Sequence, residues 1–242
     1  MVVLHTVGAF ACTSDVVRRI SRAHGQVHAK HHLHRVAVIS RTPLAKAHSI
    51  SEEDATALAR FNKSLAHAGP GVVSMIGALQ VHRAFPAVLA RMCAVRWGDS
   101  REPSWLANGC DLPALPSFRL HGKRGFPHEA SHLWVLQHDI GWTGRLPAIL
   151  ARFEPTADLL CDNLGNVGAE WPHFAEHNHL PSGRGVASCM LPAARYSVRL
   201  LAELLAGLDV GNVSYCEIRA PTACAYAPWD CTMAELRATP GL

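Results

Sequence analysis

The chain has 242 residues, 49% of them hydrophobic and 17% charged, with a formal net charge of +4. This composition excludes a disordered or highly solvated chain. The 18 Gly and 15 Pro are scattered, which excludes collagen-like and low-complexity classes, and the length suits one sizeable domain that needs neither metal nor disulfide merely to fold.

Residues 2–10 and 35–40 are short apolar runs with β-branched content, and both read as strands. The connection between them crowds His28, His31, His32 and His34 together. Ser51 and Asp54 form a capping-box-like start to a helix with Leu58, Phe61 and Leu65 on one face, stopped by Gly69-Pro70. A second helix is expected from Pro86 to Gly98, with Val88, Leu89, Met92 and Val95 inward. Residues 98–128, rich in Pro and Gly, read as a long loop, which in a compact domain points to function or to a missed element.

The stretch SHLWVLQHDIGWTGRLPAILARF (131–153) is the most informative. Leu133 to Leu136 is a continuous apolar run, as in a strand buried on both faces. It ends in Gln137-His138-Asp139, and Arg145 to Phe153 reads as a helix. An acid just past a buried strand and before a helix is where α/β sheets place ligand chemistry. ADLLCDNL (157–164) reads as a further strand, and 165–190 as irregular. Pro192 is expected to open a helix striped by Val198, Leu201, Leu204, Leu205 and Leu208, ending near Gly211. VSYCEIRAPT (213–222) reads as a strand that reaches Glu217. There is no internal repeat and no linker, so residues 1–242 are taken as one domain.

Charge is uneven along the chain. Residues 1–50 hold seven Lys/Arg against Asp15, plus seven of the 16 His. Such an end meets phosphate groups or is a solvated face. Its cations are not interleaved with aromatics, so no nucleic acid is expected. No apolar run reaches the roughly 18 residues of a membrane-spanning helix, and MVVLHTVGAFAC is a poor signal peptide. None of the eight Cys forms a C-x-x-C pair, which leaves both disulfides and buried free thiols open.

Three constellations compete for the chemistry. Asp139 and Glu217, each near the end of an expected strand, would divide ligand holding and general-base work, unless Asp139 only caps a turn and Glu217 pairs with Arg219 or Arg195. His173 and His177, with His179, would offer a zinc pair if that stretch were helical, although H-E-x-x-H is absent and exposed loop His is the plainer reading. No G-x-S-x-G or P-loop is present, and Arg184 in SGRG would touch a phosphate or simply form part of a turn.

WVLQHDIGWTG resembles the segment W-V-[LI]-E-x-D-[VI]-x-[WYF]-[TS]-G of an algal glycosyltransferase-like family related to A-type (core-2 branching-like) transferases. RYSVRLLAELLAGL followed by VSYCEIRAPTAC resembles the helix and the E-x-x-x-P-T-x-C element of those proteins, and ADLLCDNL before Trp171-Pro172 matches in placement. The resemblance covers roughly residues 118–232. It implies an α/β fold, a single Rossmann-like (GT-A-like) domain with a mixed, mostly parallel sheet flanked by helices, shortened at its N-terminal end. The implied reaction moves a sugar from a nucleotide-sugar donor to an acceptor hydroxyl, of a glycan or another molecule. Glu217 would be the catalytic base. Asp139 would hold Mn²⁺ or Mg²⁺ on the donor diphosphate, with His138, Gln137, Arg145 and Arg184 around it. Golgi or secretory lumen is the implied location, although no anchor is seen in the sequence.

Gln137 departs from the family pattern, because it stands where an acid is expected. A neutral amide oxygen lowers the attraction for a hard divalent ion. The site would then work without metal, with Arg145, Arg184 or Lys123-Arg124 neutralising the diphosphate, or the fold would be a degenerate one kept as a binding module. The rival from another enzyme class is a metal-dependent hydrolase using His173, His177, His179 and Asp139.

Overall fold

The computed structural model describes residues 2–7, 18, 19, 22, 23, 26, 34–39, 52–64, 73–76, 78–88, 115, 116, 119, 131–137, 142–153, 156–171, 186–212 and 214–236. The described strands are β1 (Val2–Val7), β2 (His34–Ile39), β3 (Val73–Ile76), β4 (His132–Gln137), β5 (Leu159–Val167), β6 (Val186–Ser197) and β7 (Met233–Glu235). They form one seven-stranded sheet in the order β3-β2-β1-β4-β6-β5-β7. Pairings β1–β2, β2–β3, β1–β4 and β5–β7 are parallel, whereas β4–β6 and β5–β6 are antiparallel. The sheet is therefore mixed and mostly parallel, as the sequence leads one to expect. Helices α1 (Glu52–Ser64), α2 (Ala78–Ala84), α3 (Leu146–Leu150), α4 (Val198–Asp209) and α5 (Cys216–Ala225) accompany it.

The parallel part, β3-β2-β1-β4, is half of a doubly wound sheet. The chain builds outward from β1 to β2 and β3, then returns to place β4 on the other side of β1. Between β1 and β4 the order reverses, and in such sheets ligands occupy the crevice outside the carboxyl ends at that point.

The main core lies on one face of the sheet. Leu133 and Val135 of β4, Leu159 and Cys161 of β5, and Ala194 and Tyr196 of β6 meet Leu201 and Leu204 of α4 and Cys216, Ala220 and Cys224 of α5 there. Phe85, just after α2, and Val88, in the helical residues 86–88 that follow, close the same cluster. Leu133, Leu159, Leu201 and Ala220 are fully buried, and complete burial of a leucine contributes roughly 1.5–3 kcal/mol.

Several expectations about the elements are corrected. The chain is helical at 86–88, as expected from Pro86, but a separate helix, α2, precedes it from Ala78, and 89–98 lie outside the described residues. Pro192 opens no helix. It lies within β6, and α4 begins at Val198, with Ser197 Oγ accepting from Leu200 N at 3.1 Å as its cap. Between Leu160–Arg195 and Asp162–Met190 the β5–β6 register shifts, so Pro192 sits in a bulge where its missing N–H costs no ladder bond with β5. The region 165–190 is accordingly not irregular at its two ends, because β5 runs on to Val167 and β6 starts at Val186. α4 ends as expected near Gly211. Asn212 N bonds Gly207 O at 2.9 Å and Gly211 N bonds Leu208 O at 3.0 Å, a Schellman closure that uses the left-handed φ of 78° at Gly211.

Two described disulfides brace this half. Cys161–Cys189 joins β5 to β6, and Cys224–Cys231 joins the end of α5 to the approach to β7. Cys216 is disulfide-bonded as well. Among the described residues no helix is long and apolar enough to cross a membrane.

Candidate functional site

β4 brings the first candidate to the switch point. Leu133 to Leu136 are buried, and the strand ends at half-buried Gln137, which pairs with His5 of β1 across the point where the order reverses. Side chains alternate along a strand. Leu133 and Val135 enter the main core, so Gln137 projects from that same face. Trp134 and Leu136 project from the other, where Trp134 meets Phe153 at 5.4 Å between ring centroids.

Glu217 is not at the end of a strand. Within the run expected as a strand, residues 216–222 belong to α5, and Glu217 lies in its first turn, where a carboxylate complements the helix dipole. The β-branched and aromatic content of VSYCEIRAPT suggested a strand, and Pro221 seemed to close it. Pro221 instead sits in the sixth position of α5, where it removes only the bond that Glu217 C=O would have accepted. The apolar set Cys216, Ala220 and Cys224 recurs at helical spacing and packs on the core.

Packing also sets the end of the sheet at which α5 begins. Tyr215, just before the helix, meets Trp171 edge-on at 5.4 Å between centroids. Trp171 follows the carboxyl end of β5, and its N donates to Gly168 O at 3.0 Å. β5 and β4 are both antiparallel to β6, so their carboxyl ends share one edge. Further along α5, Thr222 Oγ1 donates to Ala187 O at 3.0 Å, at the end of β6 that lies on this same edge. Glu217 and Gln137 therefore share one face of the sheet and the carboxyl direction of β4 and β5, with α5 packed on β6 and β5.

Burial pushes the Glu217 carboxyl above its ordinary range, and among the described residues it has no ion-pair partner. Neither arginine named as its possible counter-ion serves it. Arg219 is buried with Nη1 on Ser214 O at 3.2 Å. Arg195 belongs to the opposite face, its guanidinium 5.8 Å from the Trp134 ring centroid and its Nη2 on Ala157 O at 2.9 Å.

Arg145 is exposed and immediately precedes α3, which packs over Trp134 and Leu136, so it is not brought to the Glu217 face. His138, Asp139, Arg184, Lys123, Arg124, His173, His177 and His179 lie outside the described residues. Of the three-residue motif, the described part is Gln137, one neutral oxygen where a hard divalent ion wants several charged ones. Among the described residues no group of three His, Cys, Asp or Glu is placed to hold a metal ion. The sequence reading missed the Trp171–Tyr215 contact that orients α5, which has no local signal because it joins two distant segments.

Among solved structures, similarity is found to an active-site glutamine-to-glutamate mutant of LgtC, with a TM-score of 0.43 and 10% identity over 97% of this chain and 72% of that one. It is also found to the galactosyltransferase LgtC in complex with donor and acceptor sugar analogs, with a TM-score of 0.37 and 11% identity over 92% of this chain and 70% of that one. No protein-family profile matches the chain, and no curated protein matches it.

Proposed function

We infer that the chain is a glycosyltransferase that moves a sugar from a nucleotide-sugar donor to an acceptor hydroxyl. The observation that supports this reading is the half-buried Glu217, without an ion-pair partner among the described residues, on the face of the sheet from which Gln137 projects at the switch point between β1 and β4. In the step we propose, Glu217 takes the proton of the acceptor hydroxyl. The acceptor oxygen bonds the anomeric carbon, the bond from that carbon to the diphosphate oxygen breaks, and the nucleoside diphosphate leaves with the electron pair. A raised carboxyl value brings the base closer to neutral pH, where proton transfer is most effective.

The leaving diphosphate needs fixed positive charge. Arg184 and Lys123-Arg124 are the cations proposed for it, since Arg145 belongs to the other face. Mn²⁺ or Mg²⁺ bound through Asp139 would supply the same neutralisation, weakened by the neutral oxygen of Gln137. The Cys161–Cys189 and Cys224–Cys231 disulfides support an oxidising compartment such as the secretory lumen. The His-rich hydrolase gains no support among the described residues.

A thermal-shift screen against UDP, GDP and CMP and their sugars, each with and without Mn²⁺, tests the reading, because a ligand of the native state raises the melting temperature by mass action. A shift with one nucleotide is expected, and its dependence on Mn²⁺ reports what Gln137 costs the site. No shift with any nucleotide, together with a shift by Zn²⁺ alone, would replace this reading with the hydrolase.

A further inference from the structure

The face of the sheet opposite Glu217 holds a cavity of about 500 Å³ between β4 and α3, inside the range of roughly 300–1,000 Å³ typical of small-molecule sites. Its wall is apolar: Trp134 and Leu136 from β4, Ile149 and Leu150 from α3, Phe153, and Ala193 from β6. Protein interiors leave few voids larger than a water molecule. Water in a pocket so lined finds few partners, so its displacement by an apolar group is favourable.

The polar atoms at this cavity come from one short run. Trp142 and Thr143 line it, and Arg145 follows, just before the lining residue Leu146. The indole Nε1 of Trp142 is a buried donor with no acceptor among the described residues, and leaving such a donor unsatisfied is costly. Thr143 and Arg145 are exposed, and Arg145 has no acidic partner among the described residues. Gly144 carries a left-handed φ of 87°, which turns the chain between them. An indole N–H and a hydroxyl at an apolar cavity, with the exposed Arg145 between the lining residues Thr143 and Leu146 in the chain, match an acceptor-rich, negatively charged head on a hydrocarbon body.

We propose that this cavity binds a single-chain amphiphile with an anionic head, its hydrocarbon chain between Trp134, Ile149 and Phe153 and its head against Trp142, Thr143 and Arg145. The site is separate from the Glu217 edge, and its test involves no nucleotide sugar, so it stands or falls apart from the transfer reading.

Titration of the full chain with decanoate and with decanol, followed by tryptophan fluorescence and calorimetry, tests it. The expected result is saturable one-to-one decanoate binding with a negative heat-capacity change. Ala193→Phe fills the cavity and should weaken both ligands by about tenfold or more, with the melting temperature unchanged or raised. Ile149→Trp is a second filling variant on a different element, should Ala193→Phe fail to fold. Arg145→Gln should weaken decanoate by about three- to tenfold and leave decanol unchanged. Absence of saturable decanoate binding, or equal affinity in wild type and in a folded filling variant, would overturn the site. Equal effects of Arg145→Gln on both ligands would overturn the anionic head. Decyl phosphate in place of decanoate identifies the preferred head: either acid binding more tightly than decanol supports the proposal, and neither doing so overturns it.

Discussion

Tyr215 meets Trp171 edge-on, with 5.4 Å between ring centroids and 77° between ring planes. This contact fixes where α5 starts and so where Glu217 stands. The catalytic reading of Glu217 depends on a helix held at the edge of the sheet by two aromatic rings from separate parts of the chain.

Glu217→Gln keeps the shape of the side chain and removes the base. Transfer activity should fall by about 10²- to 10⁴-fold. The stability effect has the opposite sign. Burial raises the folded-state value above the ordinary 4.5, so the folded chain holds the proton more tightly than the unfolded chain does. That contribution is full below 4.5 and is lost as pH rises through the folded value. The glutamine variant escapes this loss, so its melting temperature relative to wild type should climb as pH rises towards neutrality. A variant that loses activity and melting temperature together at neutral pH would mark Glu217 as structural.

His132, at the amino end of β4, has the reverse dependence. Burial, and next the charge of Arg195, lowers its value from 6.5, and Ser131 Oγ lies 2.9 Å from its Nδ1. The unfolded chain therefore takes up the proton first. The stability contribution is present above 6.5 and is lost as pH falls through the lowered folded value. Melting curves across this acid range should show wild type losing stability faster than His132→Gln.

Arg195 is 5% exposed, packed on Trp134 and bonded to Ala157 O. Arg195→Ala removes the stem that fills this position and one of the donors to the Ala157 carbonyl, so a loss of about 2–4 kcal/mol is expected in urea titrations. Arg195→Lys, which retains the charge without the planar guanidinium, should recover part of it.

Removing the Cys161–Cys189 bridge as the double alanine variant should cost about 3–4 kcal/mol, from the chain entropy released when a loop of this length opens. The separation between its ends is 28 residues. Chemical denaturation of the variant, compared with wild type under non-reducing conditions, measures this directly.

How much was legible depends on how local the determinants are. β4 and Gln137 could be read because a run buried on both faces is apolar throughout and stops abruptly. α1 (Glu52–Ser64) could be read because acids in its first turn and apolar residues at helical spacing are local signals, while Ser51 and Gly69-Pro70 lie outside the described residues. α5 was misread because Pro221 looks like a terminator, whereas in an early turn of a helix it removes one hydrogen bond and the packing of Cys216, Ala220 and Cys224 outweighs it. Pro192 misled in the same way, since the bulge that accommodates it is a register shift between two stretches of β5–β6 pairing, which no window along the sequence contains. Glu217 was singled out as an acid near the end of an expected strand, and then by resemblance, whereas its place in the first turn of α5 goes with the Trp171–Tyr215 contact, which no window along the sequence contains.

The Cys161–Cys189 bond makes a covalent ring of the chain between those residues, and the ring includes His173, His177, His179 and Arg184. A protease that cuts anywhere inside it cannot release either piece. Such a nicked protein would run as one band on a non-reducing gel and as two after reduction.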